Sequence, residues 1–341
     1  MDARRAIARK EAAHAALETA LSSNQAPWAL RRSTETGWRG EQGAERLRKR
    51  AEQVCEEELE QAQRKLQRVR ATQDPKELRE VGLEAIKTAS RDTLCAMTVK
   101  AAVLDGVDVN TRAAAAAESW LRLAVRDGLL QTARALVAAG ADVNHADDDG
   151  CTALHAAAKT GHVDVVRALL QARAEVDHAS NDGRTALYVA SQSGHDEAMR
   201  ALLAAGAQVN HADDLGHTAL YAAAQRGHGP ALRTLLEAGA EVNRAATYGC
   251  TALYAAARND RVEAIKTLLE AGAKVDHADN DGRTALWVAA RNGLLKAVRA
   301  LIEAGADINL ATSNAYTPLA VARSYKCKAV VQCLEQADAR E

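Results

Sequence analysis

The chain has 341 residues and a formal net charge of −1. Apolar residues make up 48% of the chain and aromatic residues 3%, with no Phe. This balanced charge gives no electrostatic reason to expect binding to nucleic acid or to an acidic membrane. Neither a membrane-spanning apolar run nor a signal-peptide core occurs, and the six cysteines lack metal-ligand spacing, so we expect an intracellular protein, cytoplasmic or nuclear, without membrane insertion.

Residues 1–80 differ in composition from the rest and are predicted to form a charged helical segment, with a flexible connector near 23–43. Within residues 45–70, apolar side chains from Leu47 to Val69 follow each other at spacings of three and four, which is typical of a narrow coiled-coil seam. Two interpretations remain open. The seam either self-associates or binds a partner helix, or it folds back and covers the open end of the domain that follows.

From Leu121 onward the chain repeats itself every 33 residues. A period held this strictly indicates one structural unit copied along the chain, with each copy burying its apolar side against the next. The columns are leucine at 121, 154, 187, 220, 253, 286 and 319, leucine at 136, 169, 202, 235, 268, 301 and 334, and alanine at 124, 157, 190, 223, 256, 289 and 322.

One unit reads Asp182-Gly-Arg-Thr-Ala-Leu-Tyr-Val-Ala-Ser-Gln-Ser-Gly-His195, followed by Ala201-Leu-Leu-Ala-Ala-Gly-Ala-Gln-Val-Asn210. This pattern resembles the ankyrin repeat, with its glycine-containing finger, first helix, Gly-His turn, second helix and exit loop. The resemblance implies an all-α repeat solenoid of helix-turn-helix units with hairpin-like fingers, covering residues 81–341. We expect an N-terminal cap at about 84–113, repeats at about 114–314, and a C-terminal cap at 315–341.

Three glycine columns and one threonine column mark the unit boundaries. The glycines lie in the finger, the turn and the exit loop, where the family needs positive φ or close backbone approach. Arg173 replaces an exit glycine and is expected to be strained if it is left-handed, whereas Asn259-Asp260 replaces a turn glycine at lower cost. The threonines are predicted N-caps of the first helices, at 152, 185, 218, 251, 284 and 317.

The sequence offers little catalytic or metal-binding chemistry. Asp147–Gly150 and Asp279–Gly282 resemble the start of a calcium loop but lack its closing glutamate. His145, His178, His211 and His277 share one repeat position, so we expect them in a row rather than converging on a zinc ion. No nucleotide-binding or hydrolase motif occurs. We therefore predict no enzymatic activity, no cofactor and no metal site.

The family's first-helix histidine survives as His155 and is replaced by Tyr188, Tyr221, Tyr254 and Trp287 in the next units. Two interpretations of this aromatic column are open. Each ring packs against the adjacent unit with its polar atom satisfied locally, which we favour, or the rings form a ladder open to a partner.

The resemblance implies non-catalytic binding of a protein partner by an adaptor, scaffold or inhibitor. Alternatives are a structural subunit of a large assembly and an accessory subunit of an enzyme. The residues that vary between units lie at the fingertips and first-helix ends, which line the binding face in the family. We expect the centre of the site at Leu215, Arg226, Tyr248 and Arg258. The other candidates are Asp148, Asp149, Lys159, Asp182, Arg184, Gln192, Asp214, His217, Gln225, Asn259, Asp281, Arg283, Arg291 and Asn292.

Overall fold

The computed structural model describes residues 119–339. The predicted segment 1–80, its seam at 45–70, and the capping unit 84–113 lie outside these residues. Two compact units are distinguished, one formed by Met1–Ala115 with Gln131–Ala141 and the other by Ala116–Leu130 with Asp142–Glu341. Of the first unit, the described part is the stretch Gln131–Ala141, in which Thr132, Ala133, Ala135 and Leu136 are buried.

Fourteen short helices make up the regular structure of residues 119–339, and the only β-type pairing there is an isolated bridge between Ala212 and Thr218. The helices are α1 (Trp120–Arg126), α2 (Leu130–Ala138), α3 (Ala153–Thr160), α4 (Val163–Gln171), α5 (Ala186–Ser193), α6 (Asp196–Ala204), α7 (Ala219–Arg226), α8 (Gly229–Glu237), α9 (Ala252–Arg258), α10 (Val262–Glu270), α11 (Ala285–Arg291), α12 (Leu295–Glu303), α13 (Pro318–Ser324) and α14 (Lys328–Gln336).

Within the second unit the helices form two rows. The first helices α1, α3, α5, α7, α9, α11 and α13 each pack against the next in that order, and so do the second helices from α4 to α14. From α3 onward, each first helix also packs against the second helix that follows it. The predicted all-α repeat solenoid is confirmed.

The repeat columns form the core of this array. The first leucine column is at most 2% exposed from Leu121 to Leu319, and the alanine column is fully buried from Ala124 to Ala322. A methyl group at each alanine lets neighbouring helices approach closely, while each buried leucine contributes about 1.5–3 kcal/mol. The period therefore gives both the helix spacing and most of the apolar burial.

Threonine side chains start the first helices, as predicted. The hydroxyl oxygens of Thr185, Thr218, Thr251 and Thr284 each accept a hydrogen bond from the amide three residues on, and Thr317 does the same for Ala320. The sixth, Thr152, instead contacts the ring of His155, whose Nδ1 lies 3.0 Å from the hydroxyl and 3.2 Å from the Thr152 amide.

Positive φ angles occur at the three glycine columns and nowhere else among the described residues. The conformation persists where glycine is absent: Arg173 has φ 65°, and Asp260 has φ 54°. Ala315, Lys326 and Asp338 occupy the same columns in the last unit and are also left-handed. The stacking of the units, rather than the residue type, therefore determines the backbone at these positions.

Candidate protein-binding surface

Each finger is closed by a main-chain hydrogen bond and is joined to the next finger by another. The amide of Asp213 donates to the carbonyl of His217 at 2.9 Å, and that of Ala246 to Cys250 at 3.0 Å. Between fingers, the amide of Thr247 donates to the carbonyl of Leu215 at 2.9 Å. Equivalent bonds run from Asn181 to Asp149, Asp214 to Asp182, Asn280 to Tyr248 and Ser313 to Asp281. The fingers thus hold their tips through the backbone and leave the tip side chains free to vary.

The aspartates that resembled calcium ligands brace the fingers instead. Oδ1 of Asp147 accepts hydrogen bonds from the amides of Asp149 and Cys151, and Oδ1 of Asp279 does so from Asp281 and Arg283. Asp213, with a side chain only 2% exposed, accepts equivalent bonds and also faces Arg184 and His217. Each carboxylate therefore satisfies its own loop.

The aromatic column is buried, which confirms the packing interpretation over an open ladder. His155, Tyr188, Tyr221, Tyr254 and Trp287 are between 3% and 9% exposed. The ring N–H of His155 donates to the carbonyl of Arg184 at 2.9 Å. The ring N–H of Trp287 donates to the finger carbonyl of Tyr316 at 3.1 Å. Burial raises the pKa of Tyr221 and of Tyr254 to about 12, so both phenols stay neutral.

Cationic or polar side chains cover several of these rings. The Arg184 guanidinium lies 5.3 Å from the centre of the Tyr188 ring, and Arg283 lies 5.4 Å from that of Trp287. Between them, His217 stacks on Tyr221 with the ring centres 4.1 Å apart. In each of these units the residue directly before the N-cap threonine lies on the ring of its own first helix, so the buried column has a polar cover.

All eighteen predicted site residues are at least partly exposed. The exposed ones include Asp148, Asp149, Lys159, Asp182, Asp214, Leu215, Arg226, Tyr248, Arg258, Asn259, Asp281, Arg291 and Asn292, while Arg184, Gln192, His217, Gln225 and Arg283 are half-buried. Leu215 and Tyr248 are 46% and 65% exposed, unusually open for large apolar side chains, and their fingers are directly bonded.

The arginines of the site divide into two groups. On the fingers, Arg184 pairs with Asp182 at 2.9 Å and Arg283 with Asp281 at 2.7 Å. At the first-helix ends, the exposed Arg226, Arg258 and Arg291 have no carboxylate of residues 119–339 within ion-pair distance. Arg258 is close enough to the Cys250 thiol and to two tyrosines to oppose the burial that raises their pKa values.

Comparisons with known proteins agree with this geometry. A family model of ankyrin repeats matches three times, at residues 121–213, 206–279 and 272–340. The chain belongs to the ankyrin-repeat family. The crystal structure of the human ASB11 ankyrin repeat domain is similar, with 29% sequence identity and a TM-score of 0.61, over 66% of this chain and all of that one. No curated protein sequence shows a significant match.

Ankyrin repeats are generally protein–protein interaction modules, and this ankyrin array contains surface residues that our sequence reasoning missed. Tyr316 and Tyr325 are 50% and 55% exposed. The Tyr325 ring lies 5.1 Å from the Arg291 guanidinium, and its hydroxyl accepts a hydrogen bond from Arg291 at 3.1 Å. A signal was present, because Tyr325 falls in the same repeat column as the candidates Arg226, Asn259 and Asn292.

A second missed contact closes the first described finger of the ankyrin array. Arg122 of α1 forms an ion pair with Asp147 and donates to the carbonyl of Cys151.

The four recurring histidines are partly buried along the exit loops, where His211 contacts the carbonyl of Gly183 at 3.1 Å. Across residues 119–339, no three His, Cys, Asp or Glu side chains are grouped closely enough to hold a metal ion. No helix of this part has the length and apolarity of a transmembrane span.

Proposed function

We propose that this chain is a non-catalytic adaptor, scaffold or inhibitor that binds a partner protein on its finger and first-helix surface. The observation that supports this most directly is the pair of exposed apolar tips, Leu215 and Tyr248, on adjacent bonded fingers. Large apolar side chains gain by leaving water, and a rigid backbone beneath them lowers the entropic cost of binding.

The first-helix ends of the proposed site add positively charged side chains to these apolar tips. Arg226 and Arg258 are exposed and have no carboxylate partner in the array. Tyrosine and arginine are frequent anchors of protein interfaces because each combines apolar area with directional hydrogen bonding. The proposed centre of the site is therefore a mixed patch formed by Leu215, Arg226, Tyr248 and Arg258.

The proposal is tested by capturing partners on the immobilised full-length chain, identifying one by mass spectrometry, and measuring its affinity after purification. The double change Tyr248→Ala and Arg258→Ala is expected to weaken binding roughly 30-fold or more, the effect of losing interface anchors. Arg299→Ala with Glu303→Ala, on the second helix α12, serves as the control and is expected to leave affinity unchanged. Equal affinities for the wild type and the Tyr248/Arg258 variant would refute this site.

A further inference from the structure

The charge of the first-helix row is strongly one-sided. None of the helices α1, α3, α5, α7, α9, α11 and α13 contains an Asp or Glu, yet six of the seven contain Lys or Arg. The second helices differ, since each of the six from α4 to α14 carries at least one Asp or Glu among its basic residues. Four of these cations, Arg126, Lys159, Arg258 and Arg291, share one repeat column, whereas Arg122, Arg226 and Arg323 lie at other positions.

The outermost cations of this row form a set that we call the arginine row: Arg226, Arg258 and Arg291, on the neighbouring helices α7, α9 and α11. All three are exposed, and none has an ion-pair partner within the part of the chain that the structure describes. In the fingers that precede α7, α9 and α11, Asp281 is paired with Arg283, Asp213 faces Arg184 and His217, and Asp279 accepts hydrogen bonds from its own loop. The finger at 245–249 contains no acidic residue, which leaves Asp214 as the remaining carboxylate of these fingers.

We propose that the arginine row binds an extended acidic segment of the partner protein, with apolar side chains of that segment against Leu215 and Tyr248. This rests on the proposed function and adds the chemistry of the ligand. Charge complementarity selects the ligand class, because three guanidiniums without a carboxylate partner among residues 119–339 attract carboxylates and pair with them in a bidentate geometry.

The spacing of the repeats sets the spacing of the acidic groups. Packed helices lie about 8–10 Å apart, and Arg258 and Arg291 share one repeat column, so their Cα atoms are expected at about that separation, while Arg226 is one position further along its helix. A chain in the extended polyproline II conformation advances about 3.1 Å per residue with three residues per turn, so residues three apart lie on the same face, about 9 Å apart. The matching ligand has carboxylates at every third residue, whereas a compact run of acidic residues engages only one repeat at a time.

The test uses the full-length chain and a fluorescein-labelled peptide of about ten residues, long enough to cover three repeats, with Glu at every third position and Leu and Ser between. Fluorescence anisotropy is expected to show binding that weakens as salt rises. An isomer with its Glu residues grouped at one end, and a peptide with Gln in place of Glu, are expected to bind more weakly than the spaced peptide.

Substitutions in the chain separate the arginine row from general basic charge. Replacing Arg226, Arg258 and Arg291 by Gln is expected to weaken binding about fivefold for each guanidinium removed. Replacing the exposed Arg167, Arg233 and Arg299 of the second helices by Gln removes the same charge and is expected to change the affinity little. Near-equal effects of the two triple variants would overturn the proposal.

Four further outcomes would also overturn it. Equal binding of the spaced, grouped and Gln peptides would exclude charge spacing, and tighter binding of a single-stranded oligonucleotide would assign the row to nucleic acid. An increase in peptide affinity on replacing Glu56, Glu57 and Glu58 by Gln would assign the row to the chain's own acidic run. If the arginine substitutions leave capture of the identified partner intact while Tyr248→Ala abolishes it, the proposed function stands and the acidic ligand fails.

Discussion

The amide of Thr247 donates a 2.9 Å hydrogen bond to the carbonyl oxygen of Leu215, so that the fingers carrying the two exposed apolar tips are joined through their backbones. The bond requires nothing of the Leu215 side chain. Fingertip residues can therefore change without loss of the ladder, and this separates binding specificity from stability in the array. The finger glycines, by contrast, are required for the ladder because the next finger approaches them closely.

We predict that Gly183→Ala destabilises the protein more than Gly206→Ala. Both glycines are left-handed, with φ 78° and 91°, so both changes carry a strain of about 1–2 kcal/mol. A Cβ on Gly183 would also lie 2.8 Å from the amide nitrogen of Asp214, whereas a Cβ on Gly206 would meet nothing within 4 Å. Urea denaturation followed by circular dichroism measures the difference. Equal losses of stability in the two variants would mean that adjacent fingers can move apart at little cost in free energy.

Arg173→Gly is predicted to stabilise the protein by about 1 kcal/mol, because it removes left-handed strain and loses only part of that gain to the entropy of the unfolded chain. The matched control is Ala172→Gly, one residue earlier and at φ −80°. The control adds the same flexibility without relieving strain, so its urea midpoint is expected to fall. A lower midpoint for Arg173→Gly would contradict the strain argument.

Much of this fold follows from the sequence because stacking repeats the same environment every 33 residues. The period predicted the buried leucines, the threonine caps and the exposure of Leu215 and Tyr248, and the family resemblance implied the left-handed glycine columns. Arg173 was recognised as a replacement in one of these columns, and the structure shows that it is left-handed. One copied unit thus supplies seven consistent observations of the same position, which makes element boundaries unusually clear.

The contacts that the sequence did not reveal join side chains from different units. Arg122 with Asp147 and Arg291 with Tyr325 are separated by 25 and 34 residues. Their pairing depends on how far one unit is displaced from the next and on the rotamer of a long side chain. Neither quantity is contained in the periodicity, although Tyr325 shares its repeat column with the candidates Arg226, Asn259 and Asn292.

Asp279→Ala is predicted to destabilise the protein by about 1–3 kcal/mol, because two amides of its finger lose their acceptor. Asp279→Asn keeps an oxygen at the same place and is expected to retain most of the stability. The free energy of unfolding of the three proteins, measured in urea, tests this. If Asn is as destabilising as Ala, the negative charge of Asp279, rather than its hydrogen bonds, stabilises the finger.

The stability of the array is predicted to fall as the pH drops below about 6.5, in part through His155. Burial lowers the pKa of His155, and its Nδ1 accepts a hydrogen bond from the Thr152 amide that protonation would remove. The folded pKa is below the unfolded value, so the unfolded state takes up a proton first. The contribution of His155 is complete above the unfolded pKa and is lost as the pH falls towards the folded one.

Urea midpoints measured between pH 5 and 7.5 isolate this contribution when the wild type is compared with His155→Tyr and His155→Gln. Tyr occupies the same position in α5, α7 and α9, and Gln keeps polarity without titrating in this range. Both variants are expected to show a smaller loss of stability on acidification, by at most about 1.4 kcal/mol per pH unit, because a single proton is involved. If both retain the wild-type pH dependence, other groups cause the acid sensitivity and the lowered His155 pKa has no measurable effect on folding.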